Sequence, residues 1–189
     1  MKLHLGCWHR YIPGFIHIDL CDMDHIDYKA NIDDLKMIQD DSVSLIYASH
    51  CFQYFSPKDA VNVLKEWNRV LKKGGVLRMS VPDFEKLIKV YAITKDIKTI
   101  FGPIYGHMQI NSNIKESPSD NTFLYHKSIY DLQSMTELLS KTNFTGIHRY
   151  DWRDTIHKDY DDHSQAYFPH MDKENGIMIS LNLEAIKND

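Results

Sequence analysis

The sequence predicts an α/β fold built around an open parallel sheet, and three observations favour this class. Residues 2–19 have the pattern of a strand, a glycine turn and a second strand that ends in Asp19. Residues 43–49 form a nearly continuous apolar run, which is typical of a strand buried on both faces. From residue 56 to residue 91, helix and strand patterns alternate. Sheets of this class bind ligands in a crevice at the carboxyl ends of their strands.

The first two strands are predicted at residues 2–5 and 15–18, and only nine residues, 7–15, separate Gly6 from Ile16. A parallel crossover normally needs about a dozen residues or more, and Pro13-Gly14 interrupts any helix here. The first crossover is therefore a loop or at most a turn or two of helix. Residues 31–35 are predicted to form a third short strand.

The next segment begins with a strong helix start, in which Ser56 caps, Pro57 takes the first helical position and Asp59 completes a capping box. The apolar stripe of this helix comprises Ala60, Val63, Leu64, Trp67, Val70 and Leu71. We expect Gly74-Gly75 to end the helix, and a strand to follow at residues 76–81.

Pro82-Asp83 is expected to open another helix, whose apolar face comprises Phe84, Leu87, Ile88 and Tyr91. The periodicity then fails over residues 93–126. Ser128 and Asp131 indicate the start of a helix that runs to about residue 141.

The carboxyl-terminal part is predicted to contain a strand at residues 144–150 and a last strand at 177–185. Residues 151–176 between them are irregular, polar and aromatic. Long irregular segments inside compact domains are often lids or binding loops. The chain is therefore predicted as a single domain, 1–189, with 93–126 and 151–176 as excursions on the substrate side.

Composition excludes several classes of protein. The chain has 22 Lys and Arg against 26 Asp and Glu, a net charge of −4, which argues against a dedicated nucleic-acid binder. Its three cysteines form no paired motif, so we expect reduced thiols and a cytoplasmic location. No apolar run reaches the roughly 18 residues of a membrane span, and no signal-peptide pattern is expected at the amino terminus.

Three motifs together resemble the class I S-adenosylmethionine-dependent methyltransferases. They are Leu3-His4-Leu5-Gly6-Cys7 with Asp19, Ser42-Val43-x-Leu45-Ile46-Tyr47-Ala48-Ser49-His50, and Glu66-Trp67-x-Arg69-Val70-Leu71-Lys72-x-Gly74-Gly75-x-Leu77-Arg78-x-Ser80-Val81-Pro82-Asp83. The third motif is the most specific. The tail, residues 150–176, is similar to a bacterial and viral subgroup of short methyltransferase-like proteins, some of them loosely assigned to surface-glycan modification.

The resemblance implies a Rossmann-like, mostly parallel seven-stranded sheet with an antiparallel last strand and a shortened first crossover. It also implies S-adenosylmethionine as cofactor. The positions that carry over as cofactor-binding are Gly6, Cys7, Trp8, Asp19, Asp33, Ser49 and His50. Of these, Asp19 would bind the ribose hydroxyls, and Asp33 would contact the adenine edge, with Asp34 and Asn31 as alternatives.

Trp8 stands where the family usually has glycine. Its indole could fill the space meant for the cofactor. It could instead lie over the cofactor and make a cation–π contact to the sulfonium.

His126 is the first candidate general base, since histidine accepts a proton near neutral pH; its structural alternative is a residue at a helix entry. Asp83 is the second candidate, and its structural alternative is a helix N-cap. The His/Asp cluster at residues 157–172 matches no fixed metal motif, and we predict substrate recognition there and no metal.

The sequence therefore predicts a methyltransferase that acts on a small or glycan substrate, most simply at oxygen, with a homodimer as a possibility. The alternative is a catalytically silent protein of the same fold that binds a partner. Trp8 is the main support for that alternative.

Overall fold

The structure is a computed structural model that describes residues 1–106, 108–109 and 123–188. The strands of this part are β1 (Lys2–Leu5), β2 (Ile16–Asp19), β3 (Tyr28–Lys29), β4 (Val43–Ser49), β5 (Leu71–Pro82), β6 (Met108–Gln109), β7 (Phe123–Leu124), β8 (Phe144–Arg149), β9 (Tyr167–Phe168), β10 (Ile177–Met178) and β11 (Ser180–Lys187). The helices are α1 (Pro57–Val70), α2 (Phe84–Thr94), α3 (Lys98–Tyr105) and α4 (Leu132–Lys141), with short 3-10 turns at Phe52–Tyr54, Trp152–Asp154 and His163–Gln165.

The main sheet has seven strands in the order β3-β2-β1-β4-β5-β11-β8. The pairs from β3 to β5 are parallel, whereas β11 runs antiparallel to both β5 and β8. The predicted seven-stranded sheet with an antiparallel last strand is confirmed. The strand order reverses between β1 and β4, so a ligand crevice is expected at the carboxyl ends of these two strands.

The main core lies where α1 packs on the sheet. The predicted stripe of α1 is confirmed, because Ala60, Val63, Leu64, Trp67 and Val70 are all buried. Residues 6–15 contain no helix, so the shortened first crossover is confirmed as well. None of the helices in the described part of the chain is long and apolar enough to cross a membrane.

The predicted third strand at residues 31–35 is wrong. The strand that pairs with β2 is β3, at Tyr28–Lys29. The segment after it forms turns held by α1: Trp67 Nε1 donates to Ile32 O at 2.7 Å, and the backbone N–H of Leu35 donates to Glu66 Oε1 at 2.7 Å. These contacts satisfy the polar backbone of the segment without a sheet ladder.

The predicted end of α1 at Gly74-Gly75 is also wrong. The helix ends at Val70, Leu71 is already extended, and both glycines lie within β5. An added Cβ at Gly75 would lie only 2.7 Å from Lys72 O, and the pairing of β4 with β5 shifts register nearby, between Val43 and Leu45. The glycine pair therefore serves a strand irregularity and not a helix cap.

The predicted apolar face of α2 is wrong in part. Ile88 and Tyr91 are 51% and 42% exposed, whereas Leu87 and Val90 are buried and pack against Ile100 of α3. The reason is α3 itself, which the irregular sequence of 93–126 did not predict. Residues 107 and 110–122 of that excursion lie outside the described residues.

Two boundaries near the carboxyl terminus also differ. The cap of α4 is Asp131 with Ser134, whereas Ser128 Oγ donates to Phe55 O at 2.6 Å and joins two loops. The predicted strand 177–185 is divided, because β10 pairs with β9 and only β11 enters the main sheet. The excursion 151–176 is irregular apart from two 3-10 turns and β9.

Candidate active site

Two cavities of about 400 Å³ each lie at the carboxyl ends of β1 and β4, within the size range of small-molecule sites. Gly6, Trp8, His50 and Tyr54 line both of them. The first cavity is otherwise lined by residues that include Asp19, Ile32, Asp33, Cys51, Val63 and Lys127. The second is lined by His4, Cys7, Arg10, Ser49, Asp162 and His163. The four shared residues form the partition between two adjacent compartments.

Position 6 requires glycine because two turns of the chain approach each other closely there. Its φ is +62°, and an added Cβ would lie 2.5 Å from Cys51 Cβ. Its N–H donates to Ile18 O at 2.9 Å. The turn after β1 therefore packs directly on the turn after β4, and this packing leaves no room for a side chain at position 6.

Trp8 adopts the backbone conformation that glycine would favour, with φ at +46°. Its N–H donates to Asp19 Oδ2 at 2.8 Å, and its carbonyl accepts from His25 Nε2 at 2.9 Å. The side chain is 39% exposed and lines both cavities. The loop thus has the backbone conformation that glycine would adopt, although residue 8 carries an indole at the partition. The positive φ of Trp8 costs about 1–2 kcal/mol of strain.

Asp19 ends β2 and is held firmly. Its Oδ1 accepts from the N–H of Cys21 at 2.9 Å and its Oδ2 from that of Trp8 at 2.8 Å, and the residue is 8% exposed. Each carboxylate oxygen has two acceptor sites. Asp19 therefore retains one free acceptor site on each carboxylate oxygen. These two sites suit two hydroxyl groups of a ligand in the first cavity.

Asn31, Ile32 and Asp33 all line the first cavity. Asp34 does not, and its carboxylate pairs with Lys36 Nζ at 2.9 Å. Among the two carboxylates named for the adenine edge, the geometry favours Asp33.

Cys7 and Ser49 line the second cavity. Burial, together with the nearby carboxylate of Asp19, raises the pKa of the Cys7 thiol to about 12, so this thiol is neutral. Ser49 Oγ accepts from Ser80 Oγ at 3.1 Å on the neighbouring strand.

His50 follows β4 with φ at +50°, and its Nε2 lies 2.8 Å from Ser180 Oγ. Burial lowers the pKa of His50 well below the usual range, and His163, His126 and Arg10 lower it further. The imidazole is therefore neutral at pH 7.

Neither predicted base, His126 nor Asp83, belongs to the lining of either cavity. The Asp83 carboxylate is fully buried, caps α2 and pairs with Arg149 Nη1 at 3.0 Å. His126 Nδ1 donates to Pro103 O at 3.1 Å, and its Nε2 faces Gln53 Nε2 at 3.3 Å. Asp83 is therefore a helix N-cap, which was the structural alternative for this residue. Both ring nitrogens of His126 already have partners.

The His/Asp cluster at residues 157–172 contributes Asp162 and His163 to the second cavity. Asp162 accepts a hydrogen bond from Tyr47 OH and another, at 2.7 Å, from the N–H of Ser164. Arg10 Nε donates to Asp161 O at 2.8 Å. Within the described residues, no group of three His, Cys, Asp or Glu side chains could hold a metal ion.

Sequence reasoning missed Arg10, Tyr47 and Tyr54. Arg10 lies in a loop without periodicity, and Tyr47 reads as one more apolar residue of β4. A polar tip inside an otherwise apolar strand was the one available signal, since a buried tyrosine hydroxyl usually has a hydrogen-bond partner.

Residues 18–79 match a protein-family model described as a methyltransferase domain. None of the curated proteins matches the sequence. Among solved structures, an S-adenosylmethionine-dependent methyltransferase from Methanosarcina mazei is 15% identical, with 99% of this chain and 92% of that chain covered and a TM-score of 0.56. A second, from Mesorhizobium loti, is 15% identical over 98% and 90% of the two chains, with a TM-score of 0.53.

A third similar structure is the 1,6-didemethyltoxoflavin-N1-methyltransferase of Burkholderia thailandensis, with 1,6-didemethyltoxoflavin and S-adenosylhomocysteine bound. It is 12% identical over 100% of this chain and 71% of that chain, with a TM-score of 0.54. At such low identity these structures show the fold alone. The chain thus contains a segment, residues 18–79, that is similar to a methyltransferase domain, and it shares its fold with S-adenosylmethionine-dependent methyltransferases.

Proposed function

We propose that the protein holds S-adenosylmethionine in the first cavity and methylates a hydroxyl group of a small or glycan acceptor in the second. The observation that carries this proposal is the partition. Two cavities of equal volume meet at Gly6, Trp8, His50 and Tyr54. Methyl transfer is a displacement that requires donor and acceptor to approach to about 3–3.5 Å across such a boundary.

The residues of the first cavity fit this cofactor. Asp19 has one acceptor site left on each oxygen for the two ribose hydroxyls. Asp33 would contact the adenine edge, with Ile32 and Val63 as apolar surface beside it. Gly6, Trp8 and His50 at the partition would surround the methionine end. Cys7 and Ser49, which line the second cavity, would flank it from the acceptor side. When bound, S-adenosylmethionine supplies an electrophilic methyl group.

The second cavity suits a hydroxylated acceptor. Its lining offers hydrogen-bonding groups from three separate parts of the chain, namely His4 and Arg10, Ser49 and His50, and Asp162 and His163. Polar groups placed this way orient a polyhydroxylated molecule through several hydrogen bonds. The excursion 151–176 supplies Asp162 and His163, which supports its proposed role in acceptor recognition.

Calorimetry with S-adenosylmethionine and S-adenosylhomocysteine tests the cofactor site. We expect the Asp19→Asn variant to weaken binding of both by about tenfold or more, because hydrogen bonds to a charged group contribute roughly 1.5–3 kcal/mol. Asp34→Asn is the matched control, since Asp34 lies outside the cavity, and should leave affinity unchanged. Absence of binding by the unaltered protein at millimolar cofactor would favour the catalytically silent alternative.

The acceptor class is tested by transfer of a tritiated methyl group from S-adenosylmethionine to a panel of monosaccharides and methyl glycosides. Mass spectrometry of the product then locates the methyl group on oxygen, nitrogen or carbon. Methylation at nitrogen or carbon alone would overturn the proposed reaction at oxygen. The homodimer and the cytoplasmic location stay predictions.

A further inference from the structure

A series of hydrogen bonds leads away from His50 through two buried side chains, Ser180 and Asn182, to a backbone carbonyl. His50 Nε2 lies 2.8 Å from Ser180 Oγ, and Ser180 Oγ donates to Asn182 Oδ1 at 2.8 Å. Asn182 Nδ2 in turn donates to the backbone carbonyl of Ser164 at 2.8 Å. Ser180, Asn182 and Ser164 are each at most 1% exposed. Every hydrogen bond in this series therefore has a defined donor or acceptor on each side.

These partners determine the tautomer of His50. The carbonyl of Ser164 can only accept, so the amide nitrogen of Asn182 must face it and Asn182 Oδ1 must face Ser180. The single proton of Ser180 Oγ is then committed to Asn182. Ser180 Oγ can only accept from His50, so Nε2 carries the ring proton and Nδ1 carries the lone pair.

His50 also holds a particular place among the residues of the partition. Gly6 has no side chain, and the Trp8 indole is a donor only. Burial raises the pKa of Tyr54 to about 12, which keeps its phenol protonated. Of the four residues that line both cavities, His50 alone carries a side chain with an unprotonated basic nitrogen at neutral pH.

The backbone of His50 supports a functional role. Its φ of +50° is uncommon for a residue other than glycine, and its N–H is held by Ser80 O at 2.9 Å. Strained conformations of this kind concentrate at functional sites, where surrounding contacts maintain them. Here the contacts at backbone and ring hold the imidazole at the partition.

We propose that His50 Nδ1 is the general base of methyl transfer, and that Ser180 and Asn182 are positioning residues that set its tautomer. This inference rests on the proposed function. The acceptor oxygen forms a bond to the methyl carbon while the carbon–sulfur bond breaks, and the electron pair of that bond stays on sulfur, which becomes neutral. The hydroxyl proton passes to Nδ1, and the resulting imidazolium returns it to solvent after release of the product.

The groups that face His50 act on its protonation in one direction. His163 lies with its ring centroid 5.4 Å away, and Arg10 and His126 add to its effect and to that of burial. All of them disfavour the imidazolium, so Nδ1 of His50 is unprotonated at neutral pH and can accept a proton. The transfer rate is therefore expected to fall only at pH values well below 6.5 and to have reached its plateau at neutral pH.

Nitrogen NMR of the full chain, with histidine labelled with ¹⁵N and S-adenosylhomocysteine bound, tests the tautomer without any acceptor. We expect a His50 ring with protonated Nε2 and unprotonated Nδ1, assigned by its loss in His50→Gln. Ser180→Ala should convert it to a mixture of tautomers. His163→Gln, which removes a neighbouring imidazole outside the chain of hydrogen bonds, should leave the tautomer unchanged. A ring protonated at Nδ1 in the unaltered protein would overturn the proposal.

The same variants are then measured in the methyl-transfer assay with the hydroxyl acceptors of the panel. His50→Gln should lower kcat by about 10²–10⁴-fold and remove the acidic limb of the pH profile, and Ser180→Ala should lower kcat more than it raises KM. A fall of less than tenfold for His50→Gln would exclude a base at this position. If S-adenosylhomocysteine does not bind the unaltered protein, the proposed function fails, whatever the role of His50. If no acceptor of the panel is methylated, the tautomer measured by NMR tests the proposal for His50: protonation at Nδ1 overturns it.

Discussion

The backbone N–H of Trp8 donates a 2.8 Å hydrogen bond to Oδ2 of Asp19. This bond joins the loop after β1 to the end of β2, so the residue that departs from the glycine pattern also orients the carboxylate proposed to bind the ribose. The alternative that Trp8 disrupts the site must therefore act through its indole, because the backbone of residue 8 maintains the geometry of the loop.

Replacement of Trp8 distinguishes the two interpretations of its indole. If the indole lies over the sulfonium, Trp8→Gly should weaken binding of S-adenosylmethionine by about two- to fivefold more than binding of S-adenosylhomocysteine, because a cation–π contact of roughly 0.5–1 kcal/mol requires the positive charge. Trp8→Phe should keep most of the difference. Calorimetric affinities for both ligands measure it, and tighter binding of both by Trp8→Gly would mean that the indole occupies cofactor space.

Gly6 should be among the positions least tolerant of substitution. Gly6→Ala introduces both a strained φ and a Cβ 2.5 Å from Cys51 Cβ, so we expect a loss of about 2–4 kcal/mol in the free energy of unfolding. Gly14→Ala is the control for the strain alone, since its φ is +80° with nothing within 4 Å of an added Cβ. Urea titration measures both, and equal losses would contradict a clash at Gly6.

Asp83 should contribute to stability and not to chemistry. Asp83→Ala removes a helix cap and leaves Arg149, which is 36% exposed, without its buried partner, and we expect a loss of about 2–4 kcal/mol. Asp131→Ala, at the exposed cap of α4, should lose only about 1 kcal/mol. Urea titration compares the two variants. Loss of methyl transfer without loss of stability in Asp83→Ala would restore the predicted catalytic role.

His126 should be dispensable for methyl transfer. Its ring nitrogens are engaged by Pro103 and Gln53, so we expect His126→Gln to lower turnover by less than about tenfold, well below the effect of losing a general base. The tritium assay applied to this variant and to His50→Gln measures the contrast. A larger loss in His126→Gln than in His50→Gln would reverse the assignment of the base.

The stability of the fold should decrease in mild acid because of His157. This ring is fully buried, packs at a tilt of 30° against Tyr47 with centroids 3.9 Å apart, and has no hydrogen-bond partner at either nitrogen among the described residues. Burial lowers the pKa of His157 from 6.5 to about 4. The unfolded chain therefore binds a proton as pH falls below 6.5 while the folded chain does not, and stability decreases from there down to about pH 4.

His157→Phe preserves the packing of the ring and removes the proton. Urea titrations between about pH 7 and pH 5 should show a dependence on pH that is flatter by up to about 1.4 kcal/mol per pH unit in this variant. An unchanged dependence would mean that His157 is protonated to the same extent in both states.

The sequence predicted β1, β4, and the start and buried stripe of α1 well because local patterns determine them. A buried run, a capping box and an apolar stripe are each readable within about a dozen residues. The third strand and the buried face of α2 escaped prediction, because contacts with α1 and α3 override local periodicity there. The family resemblance named Gly6, Asp19 and His50 as cofactor-binding, which stays a prediction, and all three residues line the first cavity.

The acceptor side could not be predicted in the same way. Tyr47 meets Asp162 across 115 positions of sequence, and His50 meets Ser180 across 130. No periodic pattern encodes such pairs. His126 looked suitable for a base because of its residue type and its position after an irregular segment, and only the partners of its nitrogens argue otherwise.

The insertion of β11 between β5 and β8 also matters for biosynthesis. During translation the other six strands of the main sheet leave the ribosome before β11 does. The edges of β5 and β8 that pair with β11 therefore stay unpaired until β11 has been synthesised. Such edges are prone to pairing with other chains. Because β11 also carries Ser180 and Asn182, the pairing of this strand with β5 also positions the two residues proposed to support His50.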